Sequence, residues 1–157
     1  MRPWKWLTIL LVTCVVAACA TGPRRVSEPA ASLQQLTVGA DGSWSVDLRL
    51  QNYSSIPMRF ESVQLELQVG GEAAGTLAST SPMTIGSESA DVVTLTLAPT
   101  AQARLQAADA LAGGRALPYR IEGSLRAAPE DRGNARDYRI RRESALSPVP
   151  GLPGVMR

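Results

Sequence analysis

An all-β fold, two sheets packed face to face with one short helix, follows from three observations in this 157-residue chain. Several segments alternate apolar and polar residues with a period of two, the pattern of strands with one face buried and one in water. Turn-forming clusters separate them: Gly39-Ala40-Asp41-Gly42, Gly70-Gly71, Ser81-Pro82, Gly113-Gly114 and Asp131-Arg132-Gly133-Asn134. One stretch, Ala101 to Ala112, departs from the alternation and is rich in helix formers. Short alternating strands joined by such turns build a two-sheet sandwich. Residues 32–146 are enough to bury a core without disulfides.

The chain begins with a leader over residues 1–18: a basic start at Arg2 and Lys5, an apolar run from Leu7 to Val16, and small residues at its end. A helix spanning a bilayer needs about 20 apolar residues, more than this run supplies. The triplet Val16-Ala17-Ala18 directly before Cys19 resembles the lipobox of a bacterial lipoprotein, which implies cleavage between Ala18 and Cys19 and a diacylglyceryl group on the cysteine sulfur. An ordinary secretory signal with an incidental cysteine is the plainer alternative. Cys14 fits less well, since Thr13 precedes it and cleavage there would halve the apolar run. Residues 19–31 then read as a flexible tether, with Gly22, Pro23 and Pro29 and no apolar periodicity. Ala20 stands where inner-membrane retention usually shows Asp, so the expected location is the periplasmic face of the outer membrane of a Gram-negative cell.

Within the domain, Trp44, Val46, Leu48 and Leu50 interleave with Ser45, Asp47, Arg49 and Gln51 to give the first clear strand. Val63, Leu65, Leu67 and Val69 against Gln64, Glu66 and Gln68 give a second, and Val93 to Leu97 a third. Tyr119, Ile121 and Leu125 against Arg120, Glu122 and Ser124 give a fourth, with Gly123 interrupting the apolar row as the expected mark of a bulge. Tyr138 and Ile140 belong to a fifth. The helix is expected to start at Thr100 as N-cap, to bury Leu105, Ala108 and Leu111, to stop at Gly113, and to lid one end or edge of the sandwich. Residues 147–157, rich in proline, read as an extended, frayed tail.

Leu50-Gln51-Asn52 closing a strand, Pro57 before a long alternating strand, Val69-Gly70 with Gly75 beyond it, a short helix, Tyr119-Arg120-Ile121-Glu122-Gly123 and the closing Leu146-Ser147-Pro148 together resemble the late-embryogenesis-abundant type 2 domain, also called the water stress and hypersensitive response domain. The resemblance covers Leu33 to Pro148 and departs from the family where Tyr53, rather than proline, follows Asn52. It implies a seven-stranded sandwich of immunoglobulin or fibronectin III shape, no enzymatic activity, and a link to desiccation or osmotic stress.

Composition narrows the function classes. The chain has 16 basic and 14 acidic residues and no histidine. Loss of the leader removes Arg2 and Lys5 and leaves the mature protein near neutral, which gives no electrostatic case for a nucleic-acid partner. With Cys14 removed and Cys19 acylated no thiol is left for a disulfide, a metal or a nucleophile. Without histidine there is no Ser-His-Asp triad and no His-metal site. Gly86-Ser87-Glu88-Ser89 lacks the second glycine of a nucleophile elbow and reads as a turn. Glu61 with Glu66, and Glu130 with Asp131, read as solvated surface rather than an acid–base pair. Asp131 to Asn134 shares only a fragment with a calcium loop. No cofactor or metal is expected.

Asn52-Tyr53-Ser54 matches a glycosylation sequon, but the residue reads more simply as a strand-end hydrogen-bonder. Trp44 lies on an apolar face and reads as core rather than a ligand platform. Arg136, Arg139, Arg141 and Arg142 form the one concentration of charge that could meet lipid phosphates or an acidic partner. Charge on an edge strand also guards against sheet-to-sheet aggregation, which is the plainer account of the same residues. The expected partners are thus the membrane, through the amino-terminal acyl anchor, and an envelope protein or lipid. The leading function is a non-enzymatic binding or stabilising module of the envelope, and the alternative is carriage of a lipid or other apolar ligand.

Overall fold

Burial of alternate side chains decides where the strands form. The structure is a computed structural model that describes residues 24–131 and 133–157. In β2 (Trp44–Gln51) Trp44, Val46, Leu48 and Leu50 are buried, and the residues between them face outward. The same parity runs through the longer β3 (Met58–Val69), which buries Val63, Leu65, Leu67 and Val69. Around these two lie β1 (Ala30–Val38), β4 (Glu72–Ser79), β5 (Met83–Ile85), β6 (Ala90–Leu97), β7 (Leu117–Pro129), β8 (Arg136–Leu146) and β9 (Val155–Met156). The helix α1 (Ala101–Ala112) falls between β6 and β7.

The strands form two antiparallel sheets. One has the order β6-β2-β1-β9, and the other has the order β4-β3-β7-β8 with β5 pairing the start of β3. Their inner faces make a shared apolar core that includes Leu36, Trp44, Leu48, Leu65, Leu67, Leu77, Ile121 and Leu125. The two-sheet sandwich with one helix is the predicted fold. Trp44 is fully buried in the core, and its indole N–H has no hydrogen-bond partner among the described residues. A polar link crosses between the sheets inside the core: the Leu33 amide donates to the Tyr119 hydroxyl at 3.2 Å. The donor is available because β1 slips register between Leu33 and Gln35, which leaves Gln34 outside the ladder.

Several local expectations are corrected. Gly123 is not a bulge: it pairs in register with Leu65, and the slip between β3 and β7 lies instead between Phe60 and Ser62. Glycine is needed there because a Cβ would sit 2.2 Å from the Gln64 carbonyl oxygen and 3.0 Å from the Leu65 Cα, so the backbones touch. The helix has the expected bounds, and the Thr100 hydroxyl accepts from the Ala103 amide as N-cap. Its buried face is Ala103, Ala107 and Ala110, however, while Leu105 is 63% exposed. Small side chains let the helix backbone approach the sandwich closely, and a leucine on that face would hold it away. Thr100 also donates to the Ala73 carbonyl at 2.6 Å, which fixes the helix across the end of the sandwich that holds the β3–β4 turn.

Residues 25–31 and 147–157 are more ordered than expected. Ala30 and Ala31 belong to β1 rather than to the tether. Before them, the Arg25 amide donates to the Ser55 hydroxyl at 2.8 Å and the Ser27 amide to the Ser54 hydroxyl at 3.0 Å. At the other terminus the tail folds back as a hairpin, with Ser147 and Arg157 exchanging backbone hydrogen bonds and Val149 donating to Val155. Met156 pairs with Leu36 and is fully buried, so β9 covers part of the β1 edge instead of fraying.

Candidate functional site

β8 is an edge strand, paired only with β7 among the described residues. β9 covers β1 only at Leu36 and Thr37, so the first half of β1 also presents an open edge. The two open edges face each other across a groove of about 240 Å³. Pro29 to Ser32 supply one wall and Arg139 to Arg142 the other, and Arg49, Gln51 and Tyr53 reach in from β2 and the loop after it. Arg49 belongs because the register sets it opposite Ser32. Short side chains at Ala30, Ala31 and Ser32 leave the space, and the residues that line it include four arginines and no aspartate or glutamate.

The structure thus brings together three of the four arginines singled out from the sequence, and adds Arg49. Arg136 does not line the groove. Arg49 was missed because its segment signals only a strand face, and nothing in the sequence places that face beside β8. The arginines differ in their ties. Arg139 reaches Glu122 at 2.6 Å and Arg141 touches Glu143 at 4.0 Å. Arg49 donates to Gln51 at 3.1 Å. Neither Arg49 nor Arg142 has an ion pair among the described residues. Arg142 shares the parity of the buried Ile140 and Leu146, so it leaves β8 from the opposite face to Arg139 and Arg141.

Arginine charge on this face has one measurable consequence. The hydrogen bond from Arg139, helped by the charges of Arg141 and Arg120, holds the Glu122 carboxyl below its ordinary range. A carboxyl whose folded pKa is depressed adds stability above its unfolded pKa and loses it as pH falls through the folded value. Arg139→Gln is therefore expected to move the Glu122 titration upward toward the ordinary carboxylate range and to weaken that acid dependence. Carboxyl titration by NMR checks this, and an unchanged Glu122 curve would count against the pairing.

The remaining candidates resolve as ordinary structure. Glu61 is held by Arg59 and Arg126, Glu66 accepts from Thr76, and Glu130 accepts from Thr84. Asp131 pairs with Arg24. No group of three or more metal-ligating side chains occurs among the described residues. Asn52 is 1% exposed and ties backbone around it, as a strand-end hydrogen-bonder should. Ala18 and Cys19 lie outside the described residues. No described helix is long and apolar enough to cross a membrane.

Residues 47–143 match the family model of the late embryogenesis abundant proteins, type 2. Comparison with curated protein sequences gives no match. Solved structures from several sources are similar. A crystal structure of a protein from Archaeoglobus fulgidus is 16% identical over 80% of this chain and 98% of its own, with a TM-score of 0.43. A solution structure of a protein from Arabidopsis thaliana is 11% identical over 82% and 86%, at 0.49. A solution structure of a protein assigned to the late embryogenesis abundant class is 14% identical over 88% and 75%, at 0.46.

Proposed function

The chain belongs to the late embryogenesis abundant type 2 family, and from that membership together with its amino-terminal sequence we propose that it is a non-enzymatic lipoprotein of the periplasmic face of the outer membrane, binding or stabilising envelope components under water stress. The family connects the chain to water stress and is generally non-enzymatic. The anchor rests on Val16-Ala17-Ala18-Cys19.

The observation that carries the reading is the docking of the amino-terminal segment. Arg24, Arg25 and Ser27 are tied to Asp131 and to the Tyr53–Ser55 loop, and Cys19 lies five residues before the first of them. Five residue steps reach at most about 18 Å when fully extended. An acylated Cys19 would hold the sandwich against the bilayer in a restricted orientation. That suits a module acting on the membrane surface or its immediate neighbours.

The alternative, carriage of an apolar ligand between the sheets, is poorly supported. The apolar crevice bounded by Leu50, Phe60, Val63, Met83, Val93 and Leu125 offers about 10 Å³, which is room for about one water.

The test is the precursor carrying Cys19→Ser. The wild-type chain is expected to show acyl mass on its amino-terminal peptide and to fractionate with the outer membrane. The variant is expected to lose the acyl mass and remain unprocessed. A wild-type chain whose amino-terminal peptide carries no acyl mass would overturn the reading.

A further inference from the structure

We propose that the groove between β1 and β8 binds the phosphodiester headgroup of an anionic phospholipid in the membrane that carries the chain. The inference rests on the anchored reading above and gives that module a ligand.

The chemistry of the groove selects an anion. Arg49, Arg139, Arg141 and Arg142 line it with no carboxylate among them. A guanidinium carries five N–H donors in a planar fork that matches phosphate oxygens. Arg139 and Arg141 use part of that capacity on Glu122 and Glu143, whereas Arg49 and Arg142 have no ionic partner among the described residues. The half-exposed Tyr53 adds a phenol at the rim.

Size and shape select the headgroup over the tail. At about 240 Å³ the space falls below the roughly 300–1,000 Å³ of pockets that enclose drug-sized ligands, and its walls are mainly polar. An acyl chain would find no apolar channel there. A phosphodiester would meet arginine on both sides.

Position selects the membrane as the source. Pro29 and Ala30 form one wall, two residues beyond the docked Ser27. Tyr53 is shared between the groove and the docking of Arg25, whose guanidinium donates to the Tyr53 carbonyl at 3.3 Å. Val26, 46% exposed, lies in the same segment. With at most about 18 Å between Cys19 and Arg24, an acylated Cys19 would keep the docked segment, and the Pro29 wall of the groove that follows it, close to the lipid surface.

The test uses the full mature chain, isolated with its lipid and placed in nanodiscs of phosphatidylcholine, with or without phosphatidylglycerol. Amide hydrogen exchange is followed at Ala30–Ser32 and Arg139–Arg142, and intact mass reports the acyl group. Exchange at both segments is expected to slow at least about fivefold with phosphatidylglycerol, the factor that one arginine contributes near an anionic surface. The slowing should vanish in Arg49→Gln/Arg142→Gln, whose substitutions break no ion pair and should leave the thermal melt unchanged. Equal exchange in both lipids, with the acyl mass present, would overturn the groove assignment while sparing the anchor, and would point to an acidic protein instead. Slowing by inorganic phosphate alone, with no added effect of phosphatidylglycerol, would make free phosphate the ligand and overturn the lipid source. Absence of acyl mass would overturn the anchored reading itself.

Discussion

Replacing Gly123 with alanine is expected to cost about 4 kcal/mol, in the range reserved for substitutions with a specific structural fault. The added methyl would meet the Gln64 carbonyl oxygen at 2.2 Å and the Leu65 Cα at 3.0 Å. Both are backbone atoms of β3, the strand that pairs β4, β5 and β7, so no side-chain rotation relieves the clash. The sheet must part at its centre, beneath Leu65 and Ile121, which are fully buried. Gly71→Ala supplies the control. Gly71 also has positive φ, at 86°, but a Cβ there meets nothing within 4 Å, so its substitution should cost only the left-handed penalty of about 1–2 kcal/mol. Urea unfolding of the two variants gives the comparison. Equal losses would mean that close strand approach is not what requires Gly123.

The same strands show what the sequence could and could not reveal. β2, β3 and β6 were legible because each keeps one parity along its recognised length, so burial writes directly into period two. β1 was not, because its slip at Gln34 moves the buried set from Ala31 and Leu33 to Leu36 and erases the alternation. β4 was hidden for a different reason. It packs Ala74 and Leu77 at a sheet edge, and its other residues are small or polar. The helix had clear ends but a misleading face, because close approach favours alanine over leucine and a hydrophobicity count favours the reverse. β9 was lost because two residues carry no period at all, and only pairing with Leu36 and Thr37 defines them.

The candidate groove was half legible on similar grounds. Arg139, Arg141 and Arg142 sit on one strand and announce themselves as a charge run. Arg49 and the Pro29–Ser32 wall join them only through antiparallel pairing and the facing of two open edges. Long-range topology creates that juxtaposition, and no local pattern encodes it.

Asn52→Leu is the second substitution expected to be severe, at about 4 kcal/mol, and it tests how the two sheets are joined. Asn52 directly follows β2 of one sheet, in the loop that crosses to β3 of the other. Its side-chain amide donates to the carbonyls of Ile56 at 2.9 Å, Ile85 at 3.1 Å and Gly86 at 2.8 Å, and its carbonyl oxygen accepts from the Ser54 amide at 2.8 Å. Leucine keeps the volume and removes both functions. Each backbone group left buried without a partner costs about 1–3 kcal/mol. Asn52→Asp separates volume from hydrogen bonding still further, since it keeps the acceptor for Ser54 but turns an oxygen toward three carbonyls. A carboxyl in that setting is favoured protonated, so its folded pKa rises above the unfolded value of about 3.9. The folded state then binds the extra proton, and stability falls as pH rises through the folded pKa. Asn52→Asp should therefore be markedly more stable relative to wild type at pH 4 than at pH 7, whereas the deficit of Asn52→Leu should hardly change between them. Paired urea titrations at the two pH values decide the matter, and a pH-independent Asn52→Asp deficit would show that the side chain does not face those carbonyls.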